Sequence, residues 1–135
     1  MPLATPEMIN MAENLMRYCA ERKVDLVAQM SVEDDEIPYI GFHTTPTCDM
    51  KIQDTVSRLG PKAKAISMDI KTEGWYIGDV AWFVHWFTGI CPDGTDLPVR
   101  GTTVMRKVNG EWKVAHWHVS EPVDRSANMI PKGQE

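Results

Sequence analysis

The chain lacks most of the features that would assign it quickly. It has three cysteines in 135 residues, Cys19, Cys48 and Cys91, widely spaced and with no Cys-x-x-Cys pair. That excludes a disulfide framework as the organising device and reads as three reduced thiols of a cytoplasmic protein. Positive charge is scarce: 14 Lys and Arg stand against 19 Asp and Glu, a net charge of −5. Phosphate contacts need a basic face, so no nucleic-acid partner is expected. No apolar run approaches the ~18 residues of a membrane-spanning helix, so no membrane partner is expected. The opening MPLATPEMIN has no basic segment followed by an apolar one, so it does not read as a secretory signal. No glycine motif of the nucleotide-binding kind is present, and no cofactor is implied. Internal repeats and low-complexity segments are absent too.

What remains is a chain 43% apolar and 24% charged, the size of one ordinary domain and long enough to bury a core. We expect a single domain over 1–135, with its core over about 6–122 and a polar tail over 123–135. Thr5-Pro6-Glu7 is a helix start: a hydroxyl cap, proline at the first position and an acid in the first turn. Ile9, Ala12, Met16 and Cys19 follow at helical spacing, flanked by Met8, Met11, Leu15 and Tyr18. A short helix is predicted over 24–30, a strand over 37–42 and a third helix over 48–59, which Gly60-Pro61 ends. The acidic Glu33-Asp34-Asp35-Glu36 reads as a solvated turn.

The period then changes to two. A strand is predicted over 62–73, a hairpin turn at Gly78-Asp79, and strands over 80–90, 98–108 and 112–120, the last two joined by Asn109-Gly110. Helices first and strands after is an α+β pattern. VAWFVHWFTGI, residues 80–90, is apolar on both faces, which predicts a strand covered on both sides, by a second copy of the chain on the outside.

The last strand, EWKVAHWHVS, carries two imidazoles. If Asn109-Gly110 sits in a three-residue loop with a glycine bulge, Lys107 lies opposite Glu111, Thr103 pairs with Ala115 and Gly101 with Trp117. One face then holds Val99, Gly101, Thr103, Met105, Ala115, Trp117 and Val119; the other holds Val114, His116 and His118. A two-residue loop shifts the register by one. His85, His116 and His118 together suggest a three-histidine metal site. Strands one and three of a meander lie ~9–10 Å apart, however, so a bent sheet would have to close the gap, and no second-shell carboxylate is evident. No metal is therefore expected. His116 and His118 are instead read as hydrogen-bonding at a subunit interface, with Phe83, Phe87 and Val114 around them; a catalytic role in a pocket is the alternative. Eight of the eleven aromatics lie beyond residue 74, so Trp82, Trp86 and Trp117 either line a pocket for an apolar small molecule or fill it. His43, in FHTTPT, is a further catalytic candidate at a pocket mouth.

Helices followed by a bent meander, with Gly78-Asp79-Val80-Ala81, Asn109-Gly110, Trp112, His116, His118 and Ser120 at its turns and last strand, resemble the nuclear transport factor 2-like superfamily. Within it the chain is similar to SnoaL-like (ketosteroid isomerase-like) domains and to the association domain of calcium/calmodulin-dependent protein kinase II. The resemblance implies a cone-shaped α+β barrel with helices packed on a strongly curved, mainly antiparallel sheet, and a homodimer through the outer face of that sheet. It implies a pocket for a small apolar molecule and, if there is catalysis, cofactor-free isomerase, cyclase or lyase chemistry; a non-catalytic oligomerisation domain is the other reading.

Residue by residue, the resemblance is partial. Tyr18, in LMRYCAE, falls on the oxyanion-hole tyrosine of the steroid isomerases. Their partner acid falls near Thr103 or Val104 and their general base on Ile37 before Pro38, and none of these can serve in its place. The acid–base aspartate of the polyketide cyclases falls on Trp117, and the pocket arginines of the kinase association domains fall on Thr88, Thr103 and Val119. The site expected from all this has Tyr18, His116 and His118 as catalytic candidates and Tyr18, Trp82, Trp86, Thr103 and Trp117 as ligand-binding ones.

Overall fold

A computed structural model describes residues 2–32, 40–42, 56, 65–66 and 70–120. Helix α1 spans Pro6–Ala20 and α2 spans Val24–Met30; β1 is Ile40–Phe42, β2 Ala65–Ile66, β3 Lys71–Ile77, β4 Val80–Ile90, β5 Asp96–Val108 and β6 Glu111–Ser120. The α+β class is as predicted. The stretch 62–73 holds parts of two strands, β2 and β3, both antiparallel to β4. The helix expected over 48–59 lies outside the described residues except for Val56, which is helical and fully buried. Among the described residues no helix is long and apolar enough to cross a membrane.

Helix α1 starts where the hydroxyl cap predicts. Thr5 is the N-cap, and its Oγ1 accepts from the Met8 amide at 3.2 Å. It ends by an arginine rather than a glycine. Arg22 takes a left-handed φ of 60°, and its guanidinium donates to the carbonyls of Cys19 at 2.7 Å and Ala20 at 3.1 Å. Met8, Ala12, Leu15, Met16 and Cys19 are buried against the sheet, and Val27 of α2 joins them. Burial pushes the Cys19 thiol well above its ordinary pKa, so it is an inert core group.

The sheet runs β1-β6-β5-β4-β2, with β3 also on β4 and β1 parallel to β6. An N-terminal arm covers the edge of β3: the Ala4 amide donates to the Gly74 carbonyl at 2.8 Å, and the Tyr76 amide to Pro2 at 3.2 Å. Phe83 lies flat over β3 because Gly74 has no side chain; a Cβ there would stand 2.4 Å from Phe83 Cδ1.

The last hairpin departs from its predicted register. Asn109 and Gly110 have φ of 52° and 82°, so both centre residues are left-handed and the loop has two residues. Val108 therefore faces Glu111, and Met105 faces Val114. A bulge at Ala115 then shifts the phase, so that Thr103 pairs with Trp117 and Gly101 with Val119. The inner face keeps Val99, Gly101, Thr103, Met105, Trp117 and Val119, but Val114 replaces Ala115 on it. On β4 the inner residues Ala81, Phe83 and His85 are buried, while the outer Val80 and Trp86 are exposed. Within one chain that strand is covered on one face, not two.

Candidate functional site

A groove of about 900 Å³ opens where the helices meet the hairpin tips. One side is α1, which turns Met11, Asn14 and Tyr18 into it while its neighbouring face is buried on the sheet. Met30 of α2 forms another side, and Tyr76 and Trp112 form the wall across from α1. These two rings meet edge to face, with centroids 6.4 Å apart at 72°. The bulge explains why Trp112 is there. Between the two-residue turn and Ala115 the even positions of β6 face inward, so Trp112 shares the helix-bearing face with Val114.

The lysines around the groove are already engaged. Lys107 Nζ sits 5.7 Å from the Trp112 ring centroid, and Lys23 Nζ 5.7 Å from the Tyr18 ring. Lys113 Nζ donates to the Gln29 carbonyl at 2.6 Å and pairs with Glu111 at 3.6 Å.

A second polar feature lies deeper, under α1 and away from the groove. His85 is fully buried on the inner face. Its Nδ1 is 3.1 Å from Thr72 Oγ1, its Nε2 is 2.9 Å from Thr103 Oγ1, and Thr72 donates to Glu13 Oε2 at 3.1 Å. A hydroxyl has one proton, and a carboxylate only accepts. Thr72 gives its proton to Glu13, so His85 Nδ1–H must donate to Thr72, and Nε2 accepts from Thr103. The imidazole is neutral, and burial lowers its pKa from 6.5 to about 4.

The structure separates the predicted site residues into three places. Tyr18 lines the groove. Thr103 and Trp117 lie in the core, where the Trp117 indole donates to Met16 Sδ at 3.4 Å. Trp82 and Trp86 are on the outer face with His116 and His118, because strand residues alternate and these have the opposite parity to Phe83, Thr103 and Trp117. The five ligand-binding candidates are thus not one set, and the catalytic histidines do not accompany Tyr18. Phe83 and Val114 are also absent from the surroundings of His116 and His118, being buried on the inner face. Burial and the neighbouring His118 lower the His116 pKa. His85 faces away from both, and among the described residues no group of three His, Cys, Asp or Glu is placed to hold a metal. Ile37 and His43 lie outside the described residues. Sequence reasoning missed Tyr76, Trp112 and Met30 as groove walls. The doubly left-handed Asn-Gly turn is the signal that would have turned Trp112 inward.

Residues 10–124 match the SnoaL-like domain family. No curated protein matches the chain. Several solved structures share its fold at low identity. A candidate ketosteroid isomerase from Parabacteroides distasonis superposes with a TM-score of 0.68 at 14% identity, over 88% of this chain and 87% of that one. A candidate dehydratase of the nuclear transport factor 2-like family from Streptomyces avermitilis gives 0.65 at 14%, over 87% and 96%. A candidate calcium/calmodulin-dependent protein kinase type II association domain from Thiobacillus denitrificans gives 0.67 at 14%, over 91% and 99%.

Proposed function

The chain belongs to the SnoaL-like domain family, and on that premise we propose that it binds a small organic molecule in the groove between α1, α2 and the hairpin tips. The observation that carries this is a groove of about 900 Å³ in which Met11, Met30, Tyr76, Trp112 and Tyr18 stand among polar residues that include Asn10, Asn14, Gln29 and Lys107. Small-molecule sites are commonly ~300–1,000 Å³, largely apolar, with a few polar groups that set orientation. The test is a screen of small aromatic alcohols and ketones, followed by NMR on the Trp112 indole and the methionine methyls. Binders should shift Trp112, Met11 and Met30 together, and Trp112→Ala should remove binding. Ligands that shift only residues elsewhere would sink the proposal.

Catalysis on such a ligand, of isomerase, cyclase or dehydratase type on a carbonyl-bearing molecule, is a second reading. It is favoured by the Tyr18 side chain in the groove, where its hydroxyl would polarise an oxygen, and by the likeness to a candidate isomerase and a candidate dehydratase. A base must lie within hydrogen-bond reach of the proton it takes. Among the described residues the groove's carboxylates are Glu7 and Glu111. Tyr18→Phe should cut turnover of any substrate found; unchanged turnover would end the oxyanion role.

Assembly through the outer face is supported by a different observation. Ile77, Val80 and Trp86 are 58%, 44% and 40% exposed on the same side of the sheet, and an association domain is among the solved structures that share the fold. Light scattering of a concentration series should show a dimer that Trp86→Lys weakens.

A further inference from the structure

The bulge at Ala115 decides where two imidazoles point. Trp112 and Val114 face inward, and the extra residue reverses the phase of β6, so His116 and His118 both stand on the outer face. Two residues apart on one strand, their Cα atoms are ~6.8 Å apart and their side chains leave the sheet in the same direction. Two nitrogens on one tetrahedral zinc ion lie ~3.3 Å apart, from Zn–N bonds of ~2.0–2.1 Å. A lean of the two rings toward each other supplies that spacing. Among the described residues no hydrogen bond or ion pair engages either ring. Burial and the neighbouring His118 also hold His116 toward the neutral form, which is the form that ligates.

The pair is half a site. Structural zinc takes four ligands, and among the described residues no third His, Cys, Asp or Glu joins these two. The outer face indicates where the others come from. Val104 faces His116, Trp82 faces Val104 and Trp75 faces Trp82, so the histidine pair ends an apolar row that crosses the sheet. Ile77, Val80 and Trp86 are exposed on the same face. A two-fold interface presents one patch twice, so a histidine pair at its axis becomes four imidazoles. We infer that His116 and His118 of two copies share one divalent transition-metal ion of the zinc class across the outer face. This rests on assembly through that face and adds the ion that bridges it. The surroundings leave room for the ion. His118 lies between Thr102 on β5 and Gly41 on β1, and glycine has no side chain to cover it. Arg100, diagonal to His118, is exposed, so its guanidinium can extend into solvent. The apolar row keeps out water that would compete for the metal.

The test uses the whole chain, stripped with EDTA, and zinc alone as the probe. Calorimetry should give one zinc per two chains. In analytical ultracentrifugation, zinc at ~100 times its own dissociation constant should tighten the dimer about a hundredfold. Cobalt(II) in place of zinc should show the visible bands of tetrahedral nitrogen ligation without the charge-transfer band of a thiolate. His116→Gln combined with His118→Gln should abolish the zinc response. Neither side chain is fully buried, so that variant should fold, as circular dichroism would verify. One zinc per chain with no change in assembly, a thiolate band, or a zinc response kept by the variant overturns the inference. A dimer indifferent to zinc overturns it too, and leaves assembly through the outer face standing. A chain that stays monomeric at every concentration, with and without zinc, removes the assembly reading and this inference together.

Discussion

Acid should weaken the fold through one imidazole. His85 is fully buried and neutral, with a pKa lowered by burial from 6.5 to about 4. In the unfolded chain it takes up a proton near its ordinary value, so between those two pH values the unfolded state binds more protons than the folded one. Its contribution is therefore fully present above pH 6.5 and is lost as pH falls toward about 4. At about 1.4 kcal/mol per pKa unit the loss is about 3 kcal/mol, or roughly 10 °C in Tm for a domain of this size. Against a total of ~5–15 kcal/mol this is a large fraction. The assay is urea unfolding at steps from pH 7 to pH 4, on the wild type and on His85→Gln, whose amide can still donate toward Thr72 or accept from Thr103. Carboxylates common to both proteins cancel in the difference. The wild type should lose about 3 kcal/mol more than the variant over that range. Parallel curves, or an NMR titration of His85 with a midpoint near 6.5, would refute the reasoning.

Thr103→Val keeps the shape of the side chain but leaves His85 Nε2 without its donor, which should cost about 1–3 kcal/mol in urea unfolding. Gly74→Ala places a Cβ 2.4 Å from the Phe83 ring, so one must move; differential scanning calorimetry should show a loss of about 1–3 kcal/mol, and Phe83→Leu in the same chain should recover part of it.

The parts of the fold legible in the sequence were those set by local chemistry. The Thr5-Pro6-Glu7 cap, the apolar spacing along α1, and the Gly78-Asp79 and Asn109-Gly110 turns each depend on a few neighbouring residues, and each lies where it was read. The inner face of β5 and the far half of β6 were legible too, but Val114 and Ala115 were each read onto the wrong face. A bulge is a property of a strand pair, and alanine there has no turn chemistry to announce it. The assignment of Trp82 and Trp86 to the pocket had a different cause. Composition placed many aromatics beyond residue 74, but only pairing with β5 decides which face of β4 each occupies. The chain from Glu13 to Thr103 was invisible for the same reason, since it links α1, β3, β4 and β5 across the fold. Tyr18 was singled out through its likeness to the oxyanion-hole tyrosine of the steroid isomerases; its helix phase puts it at the border between the buried and open sides of α1, and it lines the groove.

The bulge offers a last prediction because it joins the core to the groove. Ala115 is the residue of β6 with no partner on β5, since Met105 faces Val114 and Val104 faces His116. Deleting it makes those two pairs consecutive, and β6 becomes an unbroken pleat in which Trp112, Val114, Trp117 and Val119 still all face inward. Deleting Ala115 and His116 together instead sets Val114 beside Trp117, and neighbours on a strand cannot both face inward. If Trp117 and Val119 keep their places, Val114 leaves the core and Trp112 leaves the groove. Val114 is fully buried, and exposing such a side chain costs about 1.5–3 kcal/mol. If instead the hairpin end holds, Trp117 must come out, at a larger cost because an indole buries more surface. The first outcome is the cheaper. The double deletion should therefore lose about 2 kcal/mol in urea and show greater quenching of tryptophan fluorescence by acrylamide, whereas the single deletion should do neither. A single deletion that behaves like the double would mean that Trp112 reaches the groove by some route other than the bulge, and the link drawn between strand register and site would be wrong.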